Sequence, residues 1–271
     1  MNKYDSVMTR MQDHYNEALE SFKESHIVGL WLQGSQNYGL DLPTSDVDTK
    51  LIVTPTFKDI ALAEKPVSTT HIRANDEHTD WKDIRLYIET FRKQNLNFLE
   101  ILFTPYFIIN PLYYEEWKKL VIHREQIARM NPYRAIQSMK GVALEKYFAM
   151  EHRYPSRAHV LDKFGYDPKQ LYNLARVHEW MIRFYKGERY EDCLISKDPT
   201  YLLSLKLGAF SLEEAREKAE YHKQGVEEIA EVAYNTYENK ENEEMRQLLE
   251  EVSYNIMKIS VMEELKECIV H

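Results

Sequence analysis

The residues of this chain with the clearest chemical potential are two carboxylates, Asp46 and Asp48, set two positions apart. On an extended strand, alternate side chains share a face, so the pair is expected to project together, roughly 6.5–7 Å apart at the backbone. Two hard oxygen donors at that spacing suit one Mg²⁺ (or Mn²⁺), which takes one or two carboxylates and completes its shell with phosphate oxygens and water. Such a site implies a nucleoside triphosphate. Gly34-Ser35 lies just upstream, where a glycine lets backbone approach phosphate closely and the serine hydroxyl and neighbouring amides can donate to it.

These residues need a scaffold, and the flanking sequence supplies one. Residues 27–33 form a short apolar run that ends at Gly34, as a buried strand does, and residues 48–53 resume the strand pattern before Pro55. The loop between them, with Asn37, Tyr38, Gly39 and Pro43-Thr44-Ser45, is long enough to bring Ser35 beside Asp46. Gln33 and Asn37 can reach either nucleotide or the loop's own amides, and Tyr38 either a base or an apolar interface. Ahead of them, Val7, Met11, Tyr15, Ala18 and Phe22 recur near helical spacing and predict an amphipathic helix over residues 4–23.

Residues 54–63 suit a short helix or turn, while residues 67–73 and 83–87 are rich in β-branched or aromatic types and read as strands. A helical pattern follows over 88–94. Residues 97–103 fit a strand or a buried helix, and the strand is preferred. After Asn110-Pro111 helix signals dominate: Asn131-Pro132 and Asp167-Pro168 as cap and first-turn proline, a capping box at Ser211–Glu214, and Gly187 closing the helix that starts at Pro168. In the last segment Leu248, Val252, Ile256, Ile259 and Met262 make a packing stripe. The expected fold class is α+β, with a mixed sheet and flanking helices in residues 1–125 and a mainly helical domain in 126–271 that covers the nucleotide cleft.

Gly34-Ser35, the later Asp46 and the Asp-x-Asp pair followed by Leu51 and Ile52 resemble the DNA polymerase beta-like nucleotidyltransferase superfamily. The stretch Gly-Ser-Gln-Asn-Tyr-Gly-Leu-Asp-Leu-Pro-Thr-Ser-Asp-Val-Asp, residues 34–48, is similar to the bacterial and phage branch associated with RNA repair. The resemblance covers about the first hundred residues, with a weaker echo near Asp167-Pro168-Lys169 and Arg176. It implies a catalytic nucleotidyltransferase domain, ATP as the triphosphate, and a third metal-binding carboxylate on a neighbouring strand. Asp83 is preferred for that role and Glu100 is the alternative. Asp46, Asp48 and Asp83 are therefore the expected catalytic and metal-binding set, with Gly34 and Ser35 on the phosphates.

Lys169 and Arg176 stand two helical turns apart and can share a face that reaches phosphate oxygens. Against this stands an ordinary solvated helix face, with Asp167 as its N-cap. Lys140, Lys146, Arg153 and Arg157 can line an acceptor groove, although a solvated face is the simpler account.

The remaining composition narrows the function. With 271 residues and a formal net charge of -9, the chain lacks the basic balance of a protein that coats nucleic acid. Cys193 and Cys268 are far apart without metal-site spacing and read as reduced thiols. The ten histidines form no pair of zinc-hydrolase type, His178 reads as a packing or surface residue, and P-loop, Rossmann and nucleophile-elbow motifs are missing. No apolar run reaches the length of a membrane span, and a cytoplasmic location is expected. The expected activity is transfer of a nucleoside monophosphate from a Mg-bound triphosphate to an acceptor hydroxyl. An RNA end is slightly favoured over a small molecule or a protein. The alternative is a catalytically silent nucleotide-binding or interaction protein of the same fold, and the oligomeric state is left open.

Overall fold

The computed structural model describes residues 2–269, and the side chains of residues 267–269, Cys268 among them, lie outside the described residues. In chain order the elements begin with helix α1 (Lys3–Leu19), strand β1 (Ile27–Gln33), strand β2 (Asp48–Val53) and α2 (Phe57–Ala61). Strands β3 (Ser68–Ile72) and β4 (His78–Asp83) follow, then α3 (Ile84–Arg92), α4 (Leu96–Leu99), β5 (Phe107–Ile109), α5 (Tyr114–Ile122) and α6 (Arg124–Ala128). The remainder is helical: α7 (Pro132–Ala149), α8 (Ala158–Phe164), α9 (Pro168–Tyr185), α10 (Tyr190–Leu194), α11 (Pro199–Lys206), α12 (Leu212–Thr236) and α13 (Glu243–Ile269). Among the described residues no helix is long and apolar enough to cross a membrane.

The fold is α+β around one five-stranded mixed sheet, ordered β3-β4-β2-β1-β5. β2 runs parallel to β4, and every other neighbouring pair is antiparallel. Strand alternation divides the sheet into two chemically different faces. On one, Leu30, Leu32, Leu51 and Val53 pack with Val7, Met11, Tyr15 and Ala18 of α1, and all eight are buried. Removing side chains of this size from water stabilises by about 1.5–3 kcal/mol each, which is what holds α1 to the sheet. The other face carries Asp48, Lys50, His78 and Asp80, and beside them Trp31 packs against Trp117 of α5 with the rings tilted by 35° at a centroid distance of 4.3 Å.

Two compact units divide the chain: residues 1–37, 41–130 and 241–271 form the first, and residues 38–40 and 131–240 the second. A boundary expected between 125 and 126 thus falls near 130, and α13 packs with the first unit instead of the helical one. Its buried stripe is Met245, Leu249, Val252, Ile256 and Ser260; Met262 of the expected stripe is exposed. Ser260 Oγ lies 2.6 Å from Thr54 Oγ1 and 3.0 Å from His26 Nδ1, a buried triangle that ties α13 to the end of β2. In the second unit α9 is flanked by α7, α11 and α12. The caps are those expected, with Asn131, Asp167 and Ser211 accepting from the first-turn amides of α7, α9 and α12.

Two strand assignments are corrected. Residues 83–87 do not form a strand, because β4 ends at Asp83, whose side chain caps α3; Ile84, Tyr87, Ile88 and Phe91 then bury at helical spacing. Residues 97–103 are also helical: Asn95 caps α4 by accepting from the Asn97 amide, and a 3-10 turn continues through Glu100–Leu102.

Candidate active site on the sheet face

Register brings the glycine turn and the Asp-x-Asp stretch to the same end of the sheet. Gln33, the last residue of β1, is paired with Asp48, the first of β2. Gly34 follows at φ +98°, a conformation that disfavours a side chain even though the space around it is open. Ser35 begins a 3-10 turn through Tyr38 and is half-buried. Side chains of that turn hold the neighbouring backbone: Gln36 Nε2 donates to the Asp46 carbonyl at 2.6 Å, and Asn37 Nδ2 to the Leu32 carbonyl at 3.0 Å. Thr104 Oγ1 donates to Asn37 Oδ1 at 2.6 Å. Gln36 and Asn37 therefore have local structural work.

Asp46 is exposed and precedes β2, so only Asp48 of the pair is in the strand. Asp48 Oδ1 accepts from the His78 amide at 2.9 Å, with His78 Nδ1 3.7 Å away. One residue earlier, the Val47 amide donates to Glu77 Oε1 at 3.0 Å. Glu77 is buried and also accepts from Arg10, from Arg73 Nη1 at 3.3 Å, from Asn75 Nδ2 at 2.7 Å and from His14 Nε2 at 3.0 Å. Burial, aided by Arg73, lowers His14 to about 4, so its ring is neutral near pH 7. With Nε2–H directed at the carboxylate, Nδ1 accepts from the hydroxyls of Thr49 (2.8 Å) or Thr79 (3.0 Å).

One row further in, Trp31, Lys50, Asp80 and Thr70 lie in register across four strands. Lys50 Nζ donates to Asp80 Oδ2 at 3.1 Å and sits 4.3 Å from the centre of the Phe98 ring, while Thr70 Oγ1 donates to Asp80 Oδ1 at 2.7 Å. Burial pushes the Asp80 carboxyl up, but Lys50, Thr70 and Lys82 outweigh it and hold the acid below the usual carboxylate range. Burial, and then Lys50, push the Lys82 ammonium down. A cavity of about 330 Å³ opens beside this row, lined by Ser68, Thr69, Thr70, Asp80, Trp81 and Lys82.

Asp83 is not brought to this place. It pairs with Val53, five residues along the parallel ladder from Asp48, or roughly 16 Å at strand rise. Its buried carboxylate takes three donors from Arg85: the amide at 2.8 Å, Nε at 2.9 Å and Nη2 at 2.7 Å. Glu100 is buried in the turn after α4; with Asp80 it raises the Tyr87 hydroxyl, whose main cause of shift is burial. On this face of the sheet the carboxylate nearest to Asp48 along the parallel ladder is Asp80, a residue outside the expected site. Its signal was the alternation of His78, Asp80 and Lys82, masked because the strand was placed five residues too late.

Lys169 and Arg176 belong to the second unit. Lys169 is exposed and its amide donates to the capping Asp167; the Arg176 guanidinium lies over the Tyr38 ring at 4.1 Å, both residues being in that unit. Arg157 holds Asp167 through two hydrogen bonds and Arg153 pairs with Asp162, so neither is an uncommitted cation. His178 is buried against His222, Nδ1 to Nδ1 at 3.0 Å.

Among the described residues no three His, Cys, Asp or Glu side chains gather as a metal-binding group. Asp46 and Asp48 supply hard oxygen donors, one exposed and one half-exposed, at the end of the sheet. That donor set suits Mg²⁺, which takes few protein ligands and fills the rest of its shell from phosphate and water. No protein-family model matches the chain, and no curated protein matches it.

Proposed function

We propose that this protein is a nucleotidyltransferase whose site lies on the sheet face at Asp46, Asp48 and Asp80. The observation that carries the reading is the Gln33–Asp48 register, which sets the Gly34-Ser35 turn beside the first strand carboxylate. Asp80, one row inward on the same face, replaces Asp83 as the third carboxylate. The reaction is attack of an acceptor hydroxyl on the α-phosphorus of a nucleoside triphosphate, forming the phosphodiester or phosphoester bond and releasing pyrophosphate. Asp46 and Asp48 would hold Mg²⁺, which when bound neutralises charge on the triphosphate. Ser35 and the turn amides donate to phosphate oxygens. Asp80, kept ionised by Lys50, accepts the hydroxyl proton or orients the hydroxyl.

ATP is the proposed triphosphate and an RNA end the slightly favoured acceptor, ahead of a small molecule or a protein hydroxyl. A second reading, nucleotide binding without turnover, is favoured by the grip of Lys50 and Thr70 on Asp80. The deciding experiment follows pyrophosphate release from each of the four triphosphates with Mg²⁺ and RNA, small-molecule and protein acceptors. Wild type should release pyrophosphate with one acceptor class, and Asp48→Asn and Asp80→Asn should each abolish it. Triphosphate binding by wild type with no transfer to any acceptor would establish the second reading.

A further inference from the structure

The Asp46-Val47-Asp48 segment is held by two consecutive residues, Glu77 at the end of the β3–β4 turn and His78 at the start of β4. Glu77 accepts from the Val47 amide, while the His78 amide donates to the Asp48 carboxylate. Between them they fix both the main chain between the two aspartates and the orientation of the second. Glu77 reaches no further toward the site than this, and it is only 1% exposed. Its other partners converge from α1 and from the β3–β4 turn: Arg10 and His14 on one side, Arg73 and Asn75 on the other. Arg10 also donates to the Ser45 carbonyl at 3.3 Å, so the residue before Asp46 is tied to the same hub.

A buried carboxylate costs several kcal/mol to desolvate, and a fold keeps one where its donors are all satisfied. Five donor groups from three segments, α1, the loop before β2 and the β3–β4 turn, meet that cost at Glu77. A strand start that only needed closing could have used the ordinary ladder bond. The geometry points to Glu77 as a positioning residue: it sets the Asp46-Val47-Asp48 backbone, and hence the cation-holding geometry, without touching substrate. This inference rests on the nucleotidyltransferase reading for what the aspartates hold, but the backbone clamp is observable without it.

The test uses the full chain as wild type, Glu77→Gln and, should that variant not fold, Arg10→Met, which removes the Ser45 and Glu77 contacts from a partly exposed side chain. Two readouts are taken. Amide exchange over residues 45–49 should quicken at least tenfold in the variant, with α12 unchanged. Binding of Mn²⁺ alone, followed by the resonance of the free ion, should weaken about 10- to 100-fold, the range seen when residues that orient ligands are removed. Pyrophosphate release should then recover at raised Mg²⁺, so that the metal requirement moves and kcat at saturation does not. Wild-type exchange over 45–49 together with Mn²⁺ affinity within twofold of wild type would overturn the assignment. If wild type itself binds no Mn²⁺, the nucleotidyltransferase reading fails, and the exchange readout still decides the clamp.

Discussion

Lys50 Nζ lies 3.1 Å from Asp80 Oδ2, with the lysine side chain 2% exposed and the aspartate 29%. The two ends of this ion pair are unequal, and the cost of breaking it depends on which partner is removed. Asp80→Asn leaves a buried ammonium with only the Phe98 face and a neutral amide, and should destabilise by about 2–4 kcal/mol. Lys50→Met leaves a carboxylate that water and Thr70 can still reach, and should cost about 1–2 kcal/mol. Urea unfolding of both variants checks the order; an equal or reversed ranking would show that the pair is not desolvated as described.

Asp83 and Asp80 should separate cleanly in function. Asp83→Ala removes the α3 cap and strands Arg85, a loss of about 1–3 kcal/mol, yet pyrophosphate release per folded molecule should be unchanged. Asp80→Asn should lose at least a hundredfold in kcat. Matched loss of activity in the two variants would return Asp83 to the site.

Gly34 tests the turn. Its φ of +98° places any other residue in strained backbone, and beyond its two chain neighbours no heavy atom lies within 4 Å of the position its Cβ would take. Gly34→Ala should therefore cost about 1–2 kcal/mol through backbone conformation alone. A thermal midpoint indistinguishable from wild type would show that the turn adopts another conformation.

His14 links stability to pH. Its folded value, about 4, lies below the ordinary 6.5 because burial and Arg73 penalise the cation. Between these values the unfolded chain binds a proton that the folded chain refuses. The His14 contribution is complete above pH 6.5 and is lost as pH falls toward 4, up to on the order of 3 kcal/mol. His222, lowered to about 3 by burial and His178, acts in the same direction and extends the loss to lower pH. His14→Gln should flatten the urea-midpoint profile between pH 6.5 and 4 relative to wild type; an unchanged slope would place the linkage elsewhere.

What the sequence determined by itself is local. The strand before Gly34, the strand from Asp48, and the caps at Asn131, Asp167 and Ser211 depend on side-chain periodicity and on hydrogen bonds within a few residues. Pairing was not legible in the same way. Asp80 and Asp83 are both acids in one short run, and only the parallel register of β4 on β2 places the first in a row with Lys50 and the second opposite Val53. A ladder converts a three-residue shift into about 10 Å and the opposite face, so strand limits misjudged by a few residues move the carboxylate out of the site. Glu77 was silent for the same reason: its donors come from α1, the loop before β2 and the turn before β4, and only tertiary structure brings them to one buried carboxylate.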